Sequence, residues 1–335
     1  MRFDEAEVAL CKASVIRPEL TEVRRMLDDA RFSLDLSDFD DKRSVEQSAV
    51  GDLRALFCRF KFVPNSPLGQ RAHEQFIMTN PFRQSRLGRV ADYYLDEAFA
   101  EAVPFRGRRF RRLAEAIQPD FIALSSYDVF NVTHPSFQLL QEIRRIHQIP
   151  LVWIWHDTCG DSLLSRIASS DVSEILDQVD LHVLADSSSC IQKLPQVKFL
   201  RLLPPVDEDL FFPSSGALDI PISFVGSTSG YRSIRQGYLD YLKDGGVPLV
   251  SGSGGQVDAP LSWDTYAETL RRSRISLNFS HSVGGEHQLK ARVLEILFSG
   301  SLLIENDNQE TRSFFVPGVD YVCFTTREDL FDKVQ

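Results

Sequence analysis

Five cysteines, Cys11, Cys58, Cys159, Cys190 and Cys323, are scattered along the chain, odd in number and without a CxxC pair. That excludes a disulfide-stapled scaffold and a cysteine zinc site, and it fits a reduced compartment. The opening Met1-Arg-Phe-Asp-Glu-Ala-Glu has no apolar core of signal-peptide length, and no apolar run is long enough to span a bilayer. The expectation is a soluble, cytoplasmic protein. A basic excess is also missing: the formal net charge is −10 and the acidic residues are shared between both halves, which argues against a nucleic-acid backbone as partner. His73, His134, His147, His182, His281 and His287 have no metal-ligand spacing, so they are read as structural and no metal is expected. Sequence repeats, low-complexity segments and a GxGxxG fingerprint are lacking as well. One basic cluster, Arg106-Gly-Arg-Arg-Phe-Arg-Arg112, is read as the solvated start of a helix. Peripheral contact with lipid head groups is its second reading.

What the chain does have is ordinary globular composition: 335 residues, 43% hydrophobic and 25% charged, enough for two domains. From about residue 110 apolar runs alternate with amphipathic stretches. Strands are expected at 120–126, 151–155, 181–185 and 198–203, with helices at 135–147 and 172–179. The proline-rich run Leu203-Pro-Pro-Val-Asp-Glu-Asp-Leu-Phe-Phe-Pro213, continuing to Ala217, breaks the rhythm and reads as a linker. The alternation then restarts with strands at 222–225, 248–250, 275–280, 301–305 and 321–324 and helices at 233–243, 264–272, 288–299 and 327–334. Such alternation of buried strands and helices predicts an α/β protein of two doubly wound, Rossmann-like domains facing a cleft. The expected boundaries are 1–205 for the first domain, 206–217 for the linker and 218–335 for the second domain. Within the first hundred residues, 7–31 and 90–102 read as helices and 55–63 as the best strand.

Candidate site residues gather after strands. Ile222-Ser-Phe-Val-Gly226-Ser227 ends a strand in small residues where ligands of open α/β sheets bind, and Arg232 follows at a helix start within reach of a phosphate. An ordinary strand–helix turn with a surface arginine is the competing reading. The turn Ser282-Val-Gly284-Gly285-Glu286 leads into a helix whose N-terminus suits an anion, with no DxD pair beside it. On that helix, Gln288, Arg292, Glu295 and Ser299 are expected on one face, with Leu289, Val293, Ile296 and Leu297 toward the core. Arg292 and Glu295 are either an exposed ion pair three residues apart or, with Lys290, the cations and carboxylate that a nucleoside diphosphate needs. His156, directly after Trp153-Ile-Trp155, is either a group for sugar or acceptor chemistry or a satisfied structural histidine. Asp157 is as readily a helix cap as a chemical group.

These segments, in this order, resemble the GT-B glycosyltransferases, especially the family 4/family 1-like group. Ile149-Pro-Leu-Val-Trp-Ile-Trp-His-Asp157 is similar to a first-domain strand ending in His-Asp, and Leu181-His-Val-Leu-Ala-Asp-Ser187 to the strand after it. Leu203 to Pro213 resembles the family linker, and Ile222-Ser-Phe-Val-Gly226 the opening strand of the donor domain. Lys290-Ala-Arg-Val-Leu-Glu-Ile-Leu-Phe-Ser-Gly300 resembles the helix carrying the family's Lys, Arg and Glu, and Phe315-Val-Pro-Gly-Val-Asp-Tyr-Val322 the segment beyond. The resemblance implies that Glu295 binds the donor ribose, that Lys290, Arg292 and Arg232 bind the diphosphate, and that Gly284, Gly285 and Glu286 lie against the sugar. Gly226 and Ser227 would complete the donor site, and His156 and Glu286 would be the catalytic candidates.

Three departures are visible. Retaining members carry an E-x7-E pair, whereas His287 stands eight before Glu295 and Glu286 is displaced by one. Pro205 replaces a usual Gly. The chain ends at Gln335, where family members continue back to the first domain, which implies a truncated C-terminus. The reading is a metal-independent glycosyltransferase using a nucleotide sugar as co-substrate, with no other cofactor and a glycan, lipid-linked or small-molecule acceptor. A non-catalytic relative that binds a sugar nucleotide or a protein is the alternative. A two-lobed small-ligand receptor is the third reading, weakened by the lack of a signal peptide.

Overall fold

The computed structural model describes residues 53–61, 72–85, 88–95, 107–125, 137–156, 176–185, 187–228, 230–252, 261–282 and 285–335, with positions 29, 31, 32, 35 and 36. The expected helix at 7–31, apart from positions 29 and 31, lies outside these residues, as do Asp157, Cys11, Cys159 and Gly284. The chain divides into two compact units. The first holds residues 1–155, 167–183 and 198–200; the second holds 156–166, 184–197 and 201–335.

The first unit is built on a six-stranded sheet, β1 (Leu53–Arg59), β2 (Gly88–Tyr94), β3 (Phe121–Ser125), β4 (Leu151–Trp155), β5 (Leu181–Leu184) and β6 (Phe199–Arg201), in the order β2-β1-β3-β4-β5-β6. β1 runs parallel to both β2 and β3, and β3 to β4. Ala55, Leu56, Phe57 and Cys58 are buried in succession, as a strand covered on both faces requires. Between β1 and β2 come a π-helical turn (Gln75–Thr79) and α1 (Asn80–Gln84). α2 (Arg108–Ile117) precedes β3, and α3 (Phe137–His147) precedes β4.

Two sequence expectations are corrected here. The helix at 90–102 is a strand over its described part, because Asp92, whose charge made the run look amphipathic, is buried. Arg59 grips it with both nitrogens, at 2.7 and 3.0 Å, while Thr79 Oγ1 donates at 2.7 Å and Arg83 at 3.2 Å. The solvated helix start is corrected at one residue: α2 does begin at Arg108, and Arg108 and Arg111 are exposed in ion pairs with Asp29 and Glu142, but Arg109 is fully buried near Asp35. No helix among the described residues is long and apolar enough to cross a membrane.

On β4, Trp153 and Trp155 are fully buried and stacked, their centroids 4.4 Å apart. Trp155 Nε1 donates to His182 Nδ1 at 3.0 Å, and His182 Nε2 lies 3.1 Å from the Leu176 carbonyl. Burial lowers the His182 pKa, so this ring is neutral with its proton on Nε2. His182 is a satisfied core histidine.

The second unit carries α4 (Ser189–Lys193) and a five-stranded sheet of β7 (Ile220–Val225), β8 (Leu249–Gly252), β9 (Ser273–Asn278), β10 (Leu302–Asn306) and β11 (Val322–Phe324). Its order is β11-β10-β9-β7-β8, with every neighbouring pair parallel. That is the doubly wound order with its switch point between β7 and β9. One face is apolar: Ile222, Phe224, Leu277, Ile304 and Phe324 pack with Leu239 and Leu242 of α5 (Ile234–Asp244) and Leu330 of α9 (Arg327–Val334). The alternate residues face α6 (Trp263–Arg272) and α7 (Ala291–Phe298), and several are polar. Ser273, Ser223, Ser276 and Ser301 form one buried row of hydroxyls, linked at 2.8, 3.1 and 2.8 Å. Residues 202–219, where the linker was read, hold neither helix nor strand. Part of this stretch is docked on α6: Phe211 meets the Tyr266 ring edge-on at 5.9 Å, and Arg271 donates to the Leu210 carbonyl at 2.5 Å.

The Arg59–Asp92 pair supplies the first testable expectation. Asp92→Ala leaves a guanidinium that is 1% exposed without its carboxylate, a loss of about 3–5 kcal/mol, readable as a lower urea midpoint at unchanged slope. Burial works to raise the Asp92 pKa, but Arg59 and Arg83 hold it below the usual range. Its contribution is thus present above the unfolded carboxyl pKa and fades as pH falls through the folded one. The wild type should lose this increment in acid, and Asp92→Ala should show a flatter acid limb.

Candidate functional site

The carboxyl ends of β7 and β9 flank the switch point, and several of the expected residues meet there. α7 begins at Ala291, not at Gln288, with Lys290 as an extended N-cap residue that makes no side-chain cap bond. The reason is local: Gln288 is engaged by the preceding loop, its N–H donating to the Ser280 carbonyl at 3.0 Å. The expected two-faced helix is also corrected. Val293, Leu294, Glu295 and Ile296 are all buried, and Leu297 only partly so. Arg292 and Glu295 are therefore not an exposed pair.

Arg292 lies against the backbone of Gly226. A methyl group placed on Gly226 would come within 3.0–3.1 Å of three guanidinium atoms, so the missing side chain makes room for Arg292. Arg292 Nη1 donates to Asn278 Oδ1 at 3.3 Å, and Nε to the Tyr266 hydroxyl at 3.3 Å. The Tyr266 hydroxyl in turn donates to Glu295 Oε2 at 2.5 Å. Burial, then the Glu295 charge, pushes the Tyr266 pKa well up, so the phenol stays protonated and remains a donor. On the far side of Asn278, its Nδ2 donates to Glu305 Oε1 at 2.7 Å. Glu305 is fully buried, and burial pushes its carboxyl up to about 7 against the Asn278 hydrogen bond, the neighbouring Thr311 and Asn308 side chains and the charge of Lys290.

The loop before α7 was read as a flexible turn, yet its ends are tied. His281 and His287 form an antiparallel bridge with ring centroids 4.9 Å apart, and Ser282 N donates to the Glu286 carbonyl at 2.8 Å. Gly285, at φ +78°, takes the left-handed turn that a side chain would disfavour. Asn306 at the end of β10 accepts from Ser280 N at 2.7 Å and donates to Ser280 Oγ at 2.9 Å. Glu286 is held by Lys193 Nζ at 2.6 Å and Ser189 Oγ at 3.1 Å, both on α4 of the same unit. Glu310, in the short helix α8 (Gln309–Arg312), accepts from Ser188 N, Ser188 Oγ and Arg201 at 2.9, 2.6 and 2.5 Å.

Of the other expected residues, Arg232 closes a 3-10 turn (Gly230–Arg232) that leads into α5, and it is partly buried. The Ser227 carbonyl accepts from Arg235 at 3.1 Å, and the same guanidinium donates to the carbonyls of Phe279 and His281 at 3.2 and 2.9 Å. His156 follows β4 and is partly buried. Tyr266, Asn278, Glu305 and Arg235 were missed in the sequence. Asn278 and Glu305 carried a signal, since each is a polar residue next to an apolar one at the carboxyl end of its strand, Asn278 last in β9 and Glu305 one before the end of β10. Tyr266 and Arg235 look like ordinary members of amphipathic helices.

Residues 217–335 match a family model described as glycosyl transferase-like. No curated protein matches the chain by sequence. Among solved structures, Anabaena HepE in complex with UDP and glucose is similar over 84% of this chain and 89% of its own, at 10% identity and a TM-score of 0.53. At that identity the likeness is one of fold. An alpha1,3-fucosyltransferase aligns over 90% of this chain and 82% of its own, at 10% identity and a looser TM-score of 0.43. With its two parallel, doubly wound sheets, the chain has the GT-B fold. The Arg292–Tyr266–Glu295 cluster falls wholly within residues 217–335, the stretch that matches the family model.

Tyr266→Phe tests how this cluster is held. It keeps the ring against Phe211 and removes the donor to a carboxylate that is 3% exposed. The expected loss is about 1–3 kcal/mol of unfolding free energy, measured by denaturant titration; no loss would mean that Glu295 does not depend on the phenol.

Proposed function

We propose that the protein transfers a sugar from a nucleoside-diphosphate sugar to an acceptor, with the donor held by the second unit. The observation that carries this reading is Arg292, a cation seated on Gly226 at the switch point inside a glycosyl transferase-like domain. HepE was solved with UDP and glucose, a ligand of the same class. Arg292, Lys290 and Arg232 receive the diphosphate, together with the N-terminal N–H groups of α7, whose cap makes no side-chain bond. Gly226 makes room for Arg292, and Ser227 and Gly285 supply close backbone approach. Glu295 takes the ribose hydroxyls, its carboxylate offering about four lone-pair sites.

As the donor bond to the anomeric carbon breaks, charge develops on the β-phosphate. The cations and helix end offset it without reorganising, so no divalent metal is required. His156 acts on the sugar or acceptor side. Glu286, oriented by Lys193 and Ser189, is the carboxylate placed at the sugar loop.

Glu295→Ala should weaken nucleoside-diphosphate binding at least about tenfold, because two charge-assisted bonds of roughly 1.5–3 kcal/mol each are lost and about 1.4 kcal/mol is one decade. Glu295→Gln should fall between. Calorimetric titration with UDP, GDP, ADP and TDP decides it, and unchanged affinity in Glu295→Ala would sink the donor-site assignment. His156→Ala should cut turnover and leave nucleotide affinity nearly intact, whereas an unaltered rate with lower stability returns His156 to a structural role. Slow donor hydrolysis without acceptor is expected for one of a panel of nucleotide sugars, undiminished by EDTA. Binding without any hydrolysis would instead describe a sugar-nucleotide binding protein.

A further inference from the structure

Strand register sets Glu305 of β10 directly beside Asn278 of β9. Both lie on the face of the sheet that meets α7, opposite the apolar face of Leu277 and Ile304. The Asn278 amide is spoken for at both ends. Its nitrogen faces the Glu305 carboxyl at 2.7 Å and its oxygen faces the Arg292 guanidinium at 3.3 Å. An amide caught between an acceptor and a cation has one permitted orientation. Glu305 is 0% exposed, in a strand position that an apolar residue would fill at less expense to folding. Such a carboxyl has a purpose beyond packing.

We propose that Glu305, acting through Asn278, is a positioning residue that fixes the Arg292 guanidinium for the donor diphosphate. The proposal rests on the donor-site reading above and extends it to a residue outside the resemblance. It has a consequence for pH. The groups facing Glu305 are Asn278 on β9, Thr311 and Asn308 at α8, Lys290 at the cap of α7, and Tyr321 before β11. Burial pushes the Tyr321 hydroxyl up to about 12, so it does not titrate near neutrality. His287, which touches Asn306, and His281 both have their pKa lowered, first of all by burial. Glu305, at about 7, is the carboxyl that changes charge.

A dianionic donor disfavours the ionised form of a nearby carboxyl, so binding raises the Glu305 pKa and takes up a proton. Donor affinity is then level below the free-state pKa and falls as pH rises through it, by no more than about tenfold per pH unit for one proton.

The test is calorimetric titration of UDP-glucose, GDP-mannose and ADP-glucose between about pH 6 and 8, in two buffers of different ionisation enthalpy. Nucleotide sugars are used because their diphosphate carries no group titrating in that window. The expected result is proton uptake of up to one per donor in the wild type, abolished in Glu305→Gln, whose affinity becomes level with pH. Asn278→Ala, with Glu305 intact, should lower affinity severalfold while far-ultraviolet circular dichroism stays native. Wild-type binding without proton uptake, or a Glu305→Gln profile that still falls with pH, overturns the proposal while leaving the donor site standing. If Glu305→Gln does not fold, native Asn278→Ala with unchanged affinity overturns it as well. Failure of all three sugars to bind overturns the donor-site reading and this proposal together.

Discussion

Arg292 rests on a residue with no side chain, and much of the second unit is arranged around that contact. A guanidinium brought flat against the backbone of β7 needs Gly226 beneath it, an acceptor beside it and a counter-dipole behind it. Asn278 and the Tyr266 hydroxyl fill the last two places. Each of these groups comes from a different element: the ends of β7 and β9, the middle of α6 and the first turn of α7. The switch point is where a parallel sheet brings such ends together, since the connections leave β7 and β9 toward opposite faces. The chemistry assigned to the site is thus a property of sheet order as much as of residue type.

The two units handle buried charge by the same rule. In the first, Asp92 is clasped by Arg59 and Arg83; in the second, Glu310 is clasped by Arg201 and the Ser188 hydroxyl. Glu305 departs from that rule. Its direct donor is a neutral amide, and its carboxyl accordingly sits near neutrality in pKa rather than below it. Pairing with arginine locks a carboxylate in one charge state, whereas pairing with an amide leaves it able to change.

The second unit was readable in the sequence because its strands are short apolar runs separated by amphipathic helices. Arg327–Val334, Trp263–Arg272 and Val322–Phe324 lie at or within a residue of their expected places. β2 was misread because Asp92, a charge in the middle of a strand, imitated helical periodicity. The start of α7 was misplaced because Gln288 belongs to a loop ladder that only tertiary structure creates. Arg292 and Glu295 stood out by their spacing. Tyr266 did not, since what distinguishes it is contact across 29 residues of sequence. Arg235 was passed over for Arg232, three residues earlier, because a cation near a strand end suggests a ligand, while its use here is to hold three backbone carbonyls.

The register of β9 on β10 has an evolutionary consequence. Because successive side chains alternate between faces, inserting or deleting one residue in either strand would turn Asn278 or Glu305 into the apolar layer around Leu277 and Ile304 and bring a leucine or isoleucine to the α7 side. The same change would break the hydroxyl row at Ser276. Length variation among descendants of this domain is therefore confined to stretches such as 213–219, which run between elements, while β9 and β10 can drift only by substitution.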